Sequence, residues 1–211
     1  MFKKNKYFVI TFVIIAFLGV IFVTEKSGPQ DSELIRLEIA KENLQENNLF
    51  FNKPEENIEN VRIKIFKANR RLELYGNGEI IGRFKIALGS NPVGDKEKEG
   101  DRKTPEGEYY VCTRNDKSKY TLSLGVSYPN VNDAKEGLEK GIIDDSTFND
   151  ISDAINSKKR PPWKTSLGGE IMIHGGGNST DWTWGCIALS DEDIRILWDY
   201  ASMGTPISVY Q

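Results

Sequence analysis

One histidine and two cysteines are all the imidazole and thiol chemistry of this chain. His174 lies in Ile171-Met172-Ile173-His174-Gly175-Gly176-Gly177, and Cys186 follows in Thr183-Trp184-Gly185-Cys186-Ile187-Ala188-Leu189. A thiol must lose its proton to become a strong nucleophile, and an ordinary one is only a few per cent ionised at neutral pH. An imidazole is the side chain best matched to taking that proton near pH 7. Together the two would support acyl transfer: the sulfur attacks a carbonyl while backbone N–H groups, those of Gly185 and Cys186, hold the oxyanion. A glycine just before the nucleophile permits a tight turn. No Asp or Glu is obviously placed to orient His174; a backbone carbonyl of the 175–177 glycine run is an alternative that the sequence leaves open.

Around this pair, Gly175, Thr183, Trp184 and Gly185 are expected to shape the site. Trp182 and Trp163 are candidate walls for a substrate, or else core packing. Cys112, between Val111 and Thr113, reads as a buried strand thiol. A Cys112–Cys186 disulfide would remove the nucleophile, and two cysteines are too few for a disulfide scaffold. Zinc needs three or four protein ligands, which would require both cysteines, His174 and Asp181 to converge; no metal or organic cofactor is implied. With 28 basic against 31 acidic residues and a formal net charge of −3, and with no basic stripe, nucleic acid is excluded as a partner.

The elements that would deliver these residues are mostly strands. Val61, Ile63 and Ile65 alternate with Arg62, Lys64 and Lys67, and Leu72, Leu74 and Tyr75 follow. Gly76-Asn77-Gly78 is a hairpin turn into a strand over 79–88. Gly89–Lys103 is a charged loop, Thr104-Pro105-Glu106-Gly107 a turn, and 108–113 and 119–126 are strands. Beyond Pro129-Asn130, residues 132–140 and 146–158 read as helices closed by Arg160-Pro161-Pro162-Trp163. Residues 169–174 and 187–189 are short strands. Ser190 with Asp193 three positions on is a capping signature for a helix through Met203, and 206–210 is a last strand. The sum is a mainly β domain with a helical insertion and a helix near the C-terminus.

The N-terminus sets an expected location. Lys3, Lys4 and Lys6 precede a 17-residue uncharged run, 7–23, followed by Glu25 and Lys26. As a helix the run would measure roughly 26 Å, at the short end for a membrane span. The lysines would hold its start in the cytoplasm and leave the rest outside. A cleaved signal peptide is the rival reading, but no small-x-small site follows Phe22. The expected organisation is therefore a basic end (1–6), a signal-anchor (7–23), a polar stalk or short helix (24–57) with its helix from Ser32 to Leu44, and one domain (58–211).

The two segments around His174 and Cys186 resemble the signature of the L,D-transpeptidase catalytic domain, a His-Gly step followed by Ser/Thr-x-Gly-Cys. Lys103-Thr104-Pro105-Glu106-Gly107 and Ser127-Tyr128-Pro129-Asn130 extend the likeness across 60–211. The resemblance implies a β-sandwich or barrel-like fold, Cys186 as nucleophile, His174 as base, and peptidoglycan peptide stems as substrate. It also implies that carbapenem-type β-lactams acylate Cys186. Two positions depart from the pattern. Trp184 stands where many members have a second His, and Ala188 where many have an Arg held to bind a substrate carboxylate. The implied activity is cross-linking of stems. The alternatives are L,D-carboxypeptidase or amidase hydrolysis through the same thioester and, in another class, a non-catalytic wall-binding module.

Overall fold

The computed structural model describes Asn48–Gln211 and, ahead of them, Arg36 alone. The expected basic end, the 7–23 span and the Ser32–Leu44 helix lie outside the described residues, except Arg36, which is helical. Among the described residues no helix is long and apolar enough to cross a membrane.

Nine strands and three helices follow one another along Asn48–Gln211. They are β1 (Phe50–Phe51), β2 (Arg62–Phe66), β3 (Arg71–Gly76), β4 (Glu79–Lys85), β5 (Gly107–Asn115) and β6 (Ser123–Val126). Helices α1 (Val131–Glu139) and α2 (Asp145–Asn156) come next, then β7 (Met172–His174), β8 (Ile187–Ala188), α3 (Asp191–Tyr200) and β9 (Pro206–Tyr210). The strands form one sheet in the order β1-β4-β3-β2-β9-β5-β6-β7-β8. Bridges from Ala87 to Ala188 and from Gly89 to Thr183 tie the β8 end to the segment leaving β4, so the sheet curls back toward itself. The mainly β expectation holds, with the helices where the sequence puts them.

Local chemistry explains most boundaries. Asn77 (φ 52°) and Gly78 (φ 90°) make the β3–β4 turn with positive φ at both central positions, the geometry that matches strand twist. The Ser190 hydroxyl accepts from the Asp193 N–H at 3.1 Å and starts α3, which stops at Tyr200. Asn130 and Asp133 form a reciprocal capping box on α1. Ile63, Ile65, Leu72, Leu74, Leu124, Ile173, Ile187 and Ile207 are fully buried and form the main core, on which α3 packs Ile194 and Leu197. A smaller cluster of Ala134, Ile151 and Leu167 joins α1 to α2.

The strand expected over 169–174 shortens to β7, with Glu170 at φ 55°, and the helix expected through Met203 ends at Tyr200. Three further expectations change. The strand expected from Lys119 begins only at Ser123, because Thr121 has φ 69° and the Leu122 N–H bonds the Tyr120 carbonyl at 2.8 Å, a turn in place of a ladder. Phe50–Phe51, assigned to the polar stalk, pairs with β4 at the sheet edge, with Phe51 facing Phe84 and Tyr200 at 6.4 and 5.7 Å between ring centroids. The folded unit thus starts ahead of residue 58. Lys67, grouped with the outward residues, continues the inward parity of Ile63 and Ile65 and is fully buried. Its ammonium is satisfied by the Gly94 and Thr104 carbonyls (2.7 and 2.9 Å) and the Glu106 carboxylate (2.8 Å), which fastens the charged 89–106 loop to the sheet.

Candidate active site

β7 and β8 run parallel, with Ile173 beside Ile187 and His174 beside Ala188. Continued one residue back, this register sets Cys186 beside Met172. Met172 and His174 share a sheet face, and so do Cys186 and Ala188. The sulfur and the imidazole therefore start from the same face of neighbouring strands, two positions apart along the chain direction. Strand spacing and rise put their Cα atoms about 8 Å apart.

His174 is 3% exposed. Tyr120 stacks on its ring with centroids 4.6 Å apart, and Trp182 meets it edge-on at 5.6 Å. The Trp182 indole N–H donates to the Gly177 carbonyl at 3.0 Å, which ties that ring to the glycine turn. His174 Nδ1 lies 2.6 Å from the Gly175 carbonyl oxygen. A carbonyl only accepts, so Nδ1 carries the proton and the neutral ring presents Nε2 as a lone-pair base. The glycine run thus supplies the orienting carbonyl. The Asp191 carboxylate, at the start of α3, accepts from the Gly176 N–H (2.9 Å) and the Thr121 hydroxyl (2.7 Å) and braces the loop instead.

Cys186 is partly exposed and is a free thiol. Its sulfur accepts from the Met172 N–H at 3.4 Å and directs its own S–H at the Glu170 carbonyl at 3.6 Å. It makes no hydrogen bond to His174. Cys112 is buried three strands away, since β6 and β7 lie between β5 and β8. That separation is about 14 Å, far beyond disulfide reach.

Electrostatics keep both groups neutral at rest. Burial pushes the Cys186 thiol up to about 11; the Met172 N–H pulls it down, the Glu170 carboxylate pushes it further up and the Lys96 ammonium pulls it down. Burial also lowers the His174 imidazole below its ordinary value of 6.5, against the Gly175 carbonyl, which favours the cation, and with the Lys119 charge. The resting pair is a thiol and a neutral imidazole, not a preformed ion pair. Such a site needs its base at the moment of attack.

The turn before Cys186 is built by Thr183. Its hydroxyl donates to the Cys186 carbonyl (2.7 Å) and accepts from the Gly185 N–H (3.2 Å), while its backbone bridges Leu88 and Ser90. Gly185 sits at φ 127°, and a Cβ there would come within 2.7 Å of the Lys103 carbonyl oxygen, so no larger residue fits. This narrows the expected oxyanion donors. The Gly185 N–H is engaged within the turn, whereas the Cys186 N–H has no acceptor among the described residues. Trp184 points outward, 71% exposed, with the Arg102 guanidinium 4.9 Å from its ring centroid. Trp182 packs on the imidazole, and Trp163 lines a groove beside Glu170. Among the described residues, no three His, Cys, Asp or Glu side chains gather as a metal would require.

Sequence reasoning missed two parts of the site. Tyr120 carries no local signal, because its segment reads as continuous strand. Asp181 binds Arg70 through Nε (3.0 Å) and Nη2 (2.7 Å) and accepts from the Leu88 N–H (2.9 Å), pinning the start of the Cys186 turn to the β2–β3 connection. The 111 positions between Arg70 and Asp181 hide that pair from any pattern.

This curled sheet, with His174 at the end of β7 and Cys186 just ahead of the parallel β8, defines a class of catalytic domain that comparison with known proteins identifies. Residues 60–209 match the family model of YkuD, the L,D-transpeptidase catalytic domain, and the chain belongs to that family. YafK of Escherichia coli (strain K12) is 38% identical over 85 residues, which is 37% of this chain and 35% of YafK. The chain thus matches about a third of that relative's length. A variant of the helical cell shape determining protein Pgp2 from Campylobacter jejuni shares the fold, with TM-score 0.50 and 22% identity over 77% of this chain and 49% of Pgp2. Bd1075 of Bdellovibrio bacteriovorus aligns with TM-score 0.48 and 24% identity over 78% of this chain and 52% of its own.

Proposed function

We propose that this chain is a cell-wall L,D-transpeptidase that works through a thioester on Cys186. Sγ swings from the Glu170 carbonyl toward the ring, gives its proton to His174 Nε2 and attacks the carbonyl joining an L-centre to a D-residue of a peptidoglycan stem. The Cys186 N–H steadies the oxyanion. The imidazolium then protonates the leaving amine, and the thioester remains. An amine from a second stem, losing its proton to His174, attacks the thioester and forms the cross-link. With water in that role the same intermediate gives hydrolysis, the action of a carboxypeptidase or amidase.

The observation that carries this reading is the Nδ1–Gly175 hydrogen bond. Within a YkuD domain it leaves Nε2 free as a base on the sheet face that also carries a partly exposed thiol. The sequence adds a location: a signal-anchor over 7–23 would hold the domain at the outer side of the cell membrane, beside the wall. Carbapenems, as acyl donors, are expected to acylate Cys186.

Product masses test the assignment. The protein incubated with a stem peptide and a second amine-bearing stem should yield the cross-linked mass, and Cys186→Ala should yield none. Hydrolysed product alone, at every acceptor concentration, contradicts transpeptidation and assigns a hydrolase. No turnover with any stem contradicts both.

A further inference from the structure

An open groove of about 590 Å³ lies between the middle of α2, the double-proline segment and the residues ahead of β7. Its lining carries two cations, Arg160 and Lys164, and two anions, Asp150 and Glu170, around Trp163. All four charged residues are exposed, and none has an ion-pair partner among the described residues. Arg160 rests its guanidinium 4.8 Å from the Trp163 ring centroid, which holds it at the groove by stacking and leaves its N–H donors available.

The groove abuts the sulfur by two routes. Glu170, one of its walls, places its carbonyl 3.6 Å from Cys186 Sγ. Trp163, its floor, lies against the main chain of Gly169, where a Cβ would come within 2.5 Å of the Trp163 Cα and Cβ. The tip of the same ring lies 3.4 Å from a Cβ built on Gly125. Gly125 pairs with Met172, whose N–H in turn holds Sγ.

A ligand of one charge sign would meet two attractions and two repulsions here. A group with opposite charges a few ångströms apart can meet attraction from both pairs. We propose that this groove is a subsite for a zwitterionic segment, an ammonium and a carboxylate flanking the bond that Cys186 attacks. Arg160 and Lys164 take the carboxylate, and Asp150 and Glu170 take the ammonium. Trp163 forms the apolar floor between them. The inference rests on the peptide-stem reading above and specifies which stems bind.

The test separates the two. Full-length protein carrying Cys186→Ala is titrated with a tetrapeptide ending in L-Lys-D-Ala, with its C-terminal amide, and with the peptide acetylated on the lysine amine. The free peptide is expected to bind on the order of three- to tenfold more tightly than either derivative. Adding Arg160→Gln and Lys164→Gln together should erase the preference over the amide and keep that over the acetylated form; adding Asp150→Asn and Glu170→Gln together should do the reverse. Equal binding of all three peptides, or binding of none, overturns the subsite. Cys186-containing protein that turns over all three at equal rates also overturns it, while leaving the stem-peptide function standing.

Discussion

His174 ends β7 and Cys186 immediately precedes the neighbouring β8, but the two are held by opposite means. The imidazole is buried between Tyr120 and Trp182 with one nitrogen fixed on a backbone carbonyl. The thiol is partly open, on a turn, with two long sulfur contacts that a substrate can replace. The imidazole is fixed on both faces and at one nitrogen, and the thiol only by two long contacts; under the proposed function the first is the base and the second the nucleophile. That division suits a site where the ring must accept a proton in one fixed direction while the sulfur travels to a carbonyl and stays bonded to it.

The comparison breaks most completely at the sulfur. Cys186→Ala should lower turnover of stem peptides by at least about 10³-fold with little change in melting temperature, both read on the same preparation. His174→Gln, keeping a polar side chain of similar reach, should cost roughly 10²- to 10⁴-fold in kcat. Retention of full activity there would remove the imidazole from the reaction. Tyr120→Leu should sharpen the contrast, since it loosens only the base. A loss of roughly 10- to 100-fold in kcat with KM little changed is expected, together with a displaced acid limb of the pH–rate profile, which a merely structural role would not move.

The pH dependence follows from the two shifts. His174 is lowered below 6.5, so its Nε2 stays unprotonated down to a more acidic pH than in a free imidazole, and activity should fall only below that range. Cys186 is raised to about 11, so iodoacetamide labelling of the resting thiol should climb across the alkaline range toward that value. Cys112, which burial pushes to about 12 with Arg160 only partly offsetting it, should label far more slowly. Rapid, pH-independent labelling of Cys186 at pH 7 would show a preformed thiolate. The smallest effect is expected at the tether of the turn. Arg70→Ala should cost about 1 kcal/mol of stability, since the partly exposed Asp181 keeps the Leu88 N–H, with activity reduced no more than several-fold.

The parts of this molecule set by local rules are legible in its sequence. Alternation marks Ile63 and Ile65, positive-φ residues mark the Asn77-Gly78 turn, and Ser190 with Asp193 marks the start of α3. His174 and Cys186 stand out because no other residues could do their chemistry together. What holds them is less legible, because it is assembled across distance. Tyr120 reaches His174 only because Thr121 turns the chain out of the strand. Asp181 finds Arg70 through the curl of the sheet. Lys67 carries a signal in its inward parity that its charge masks, and three converging oxygens offset the cost of its burial. The Gly185 amide illustrates the same limit. Its place beside the nucleophile suggested an oxyanion donor, and the Thr183 hydroxyl two residues earlier had already taken it.

The most direct measurement is the intact mass of the full-length protein, acid-quenched during turnover of a stem peptide, with the modified residue mapped. The account predicts an acyl adduct on Cys186 that hydroxylamine removes, that forms more slowly with His174→Gln, and that Cys186→Ala abolishes together with turnover. Turnover surviving in Cys186→Ala, or an adduct mapped to another residue, would contradict it.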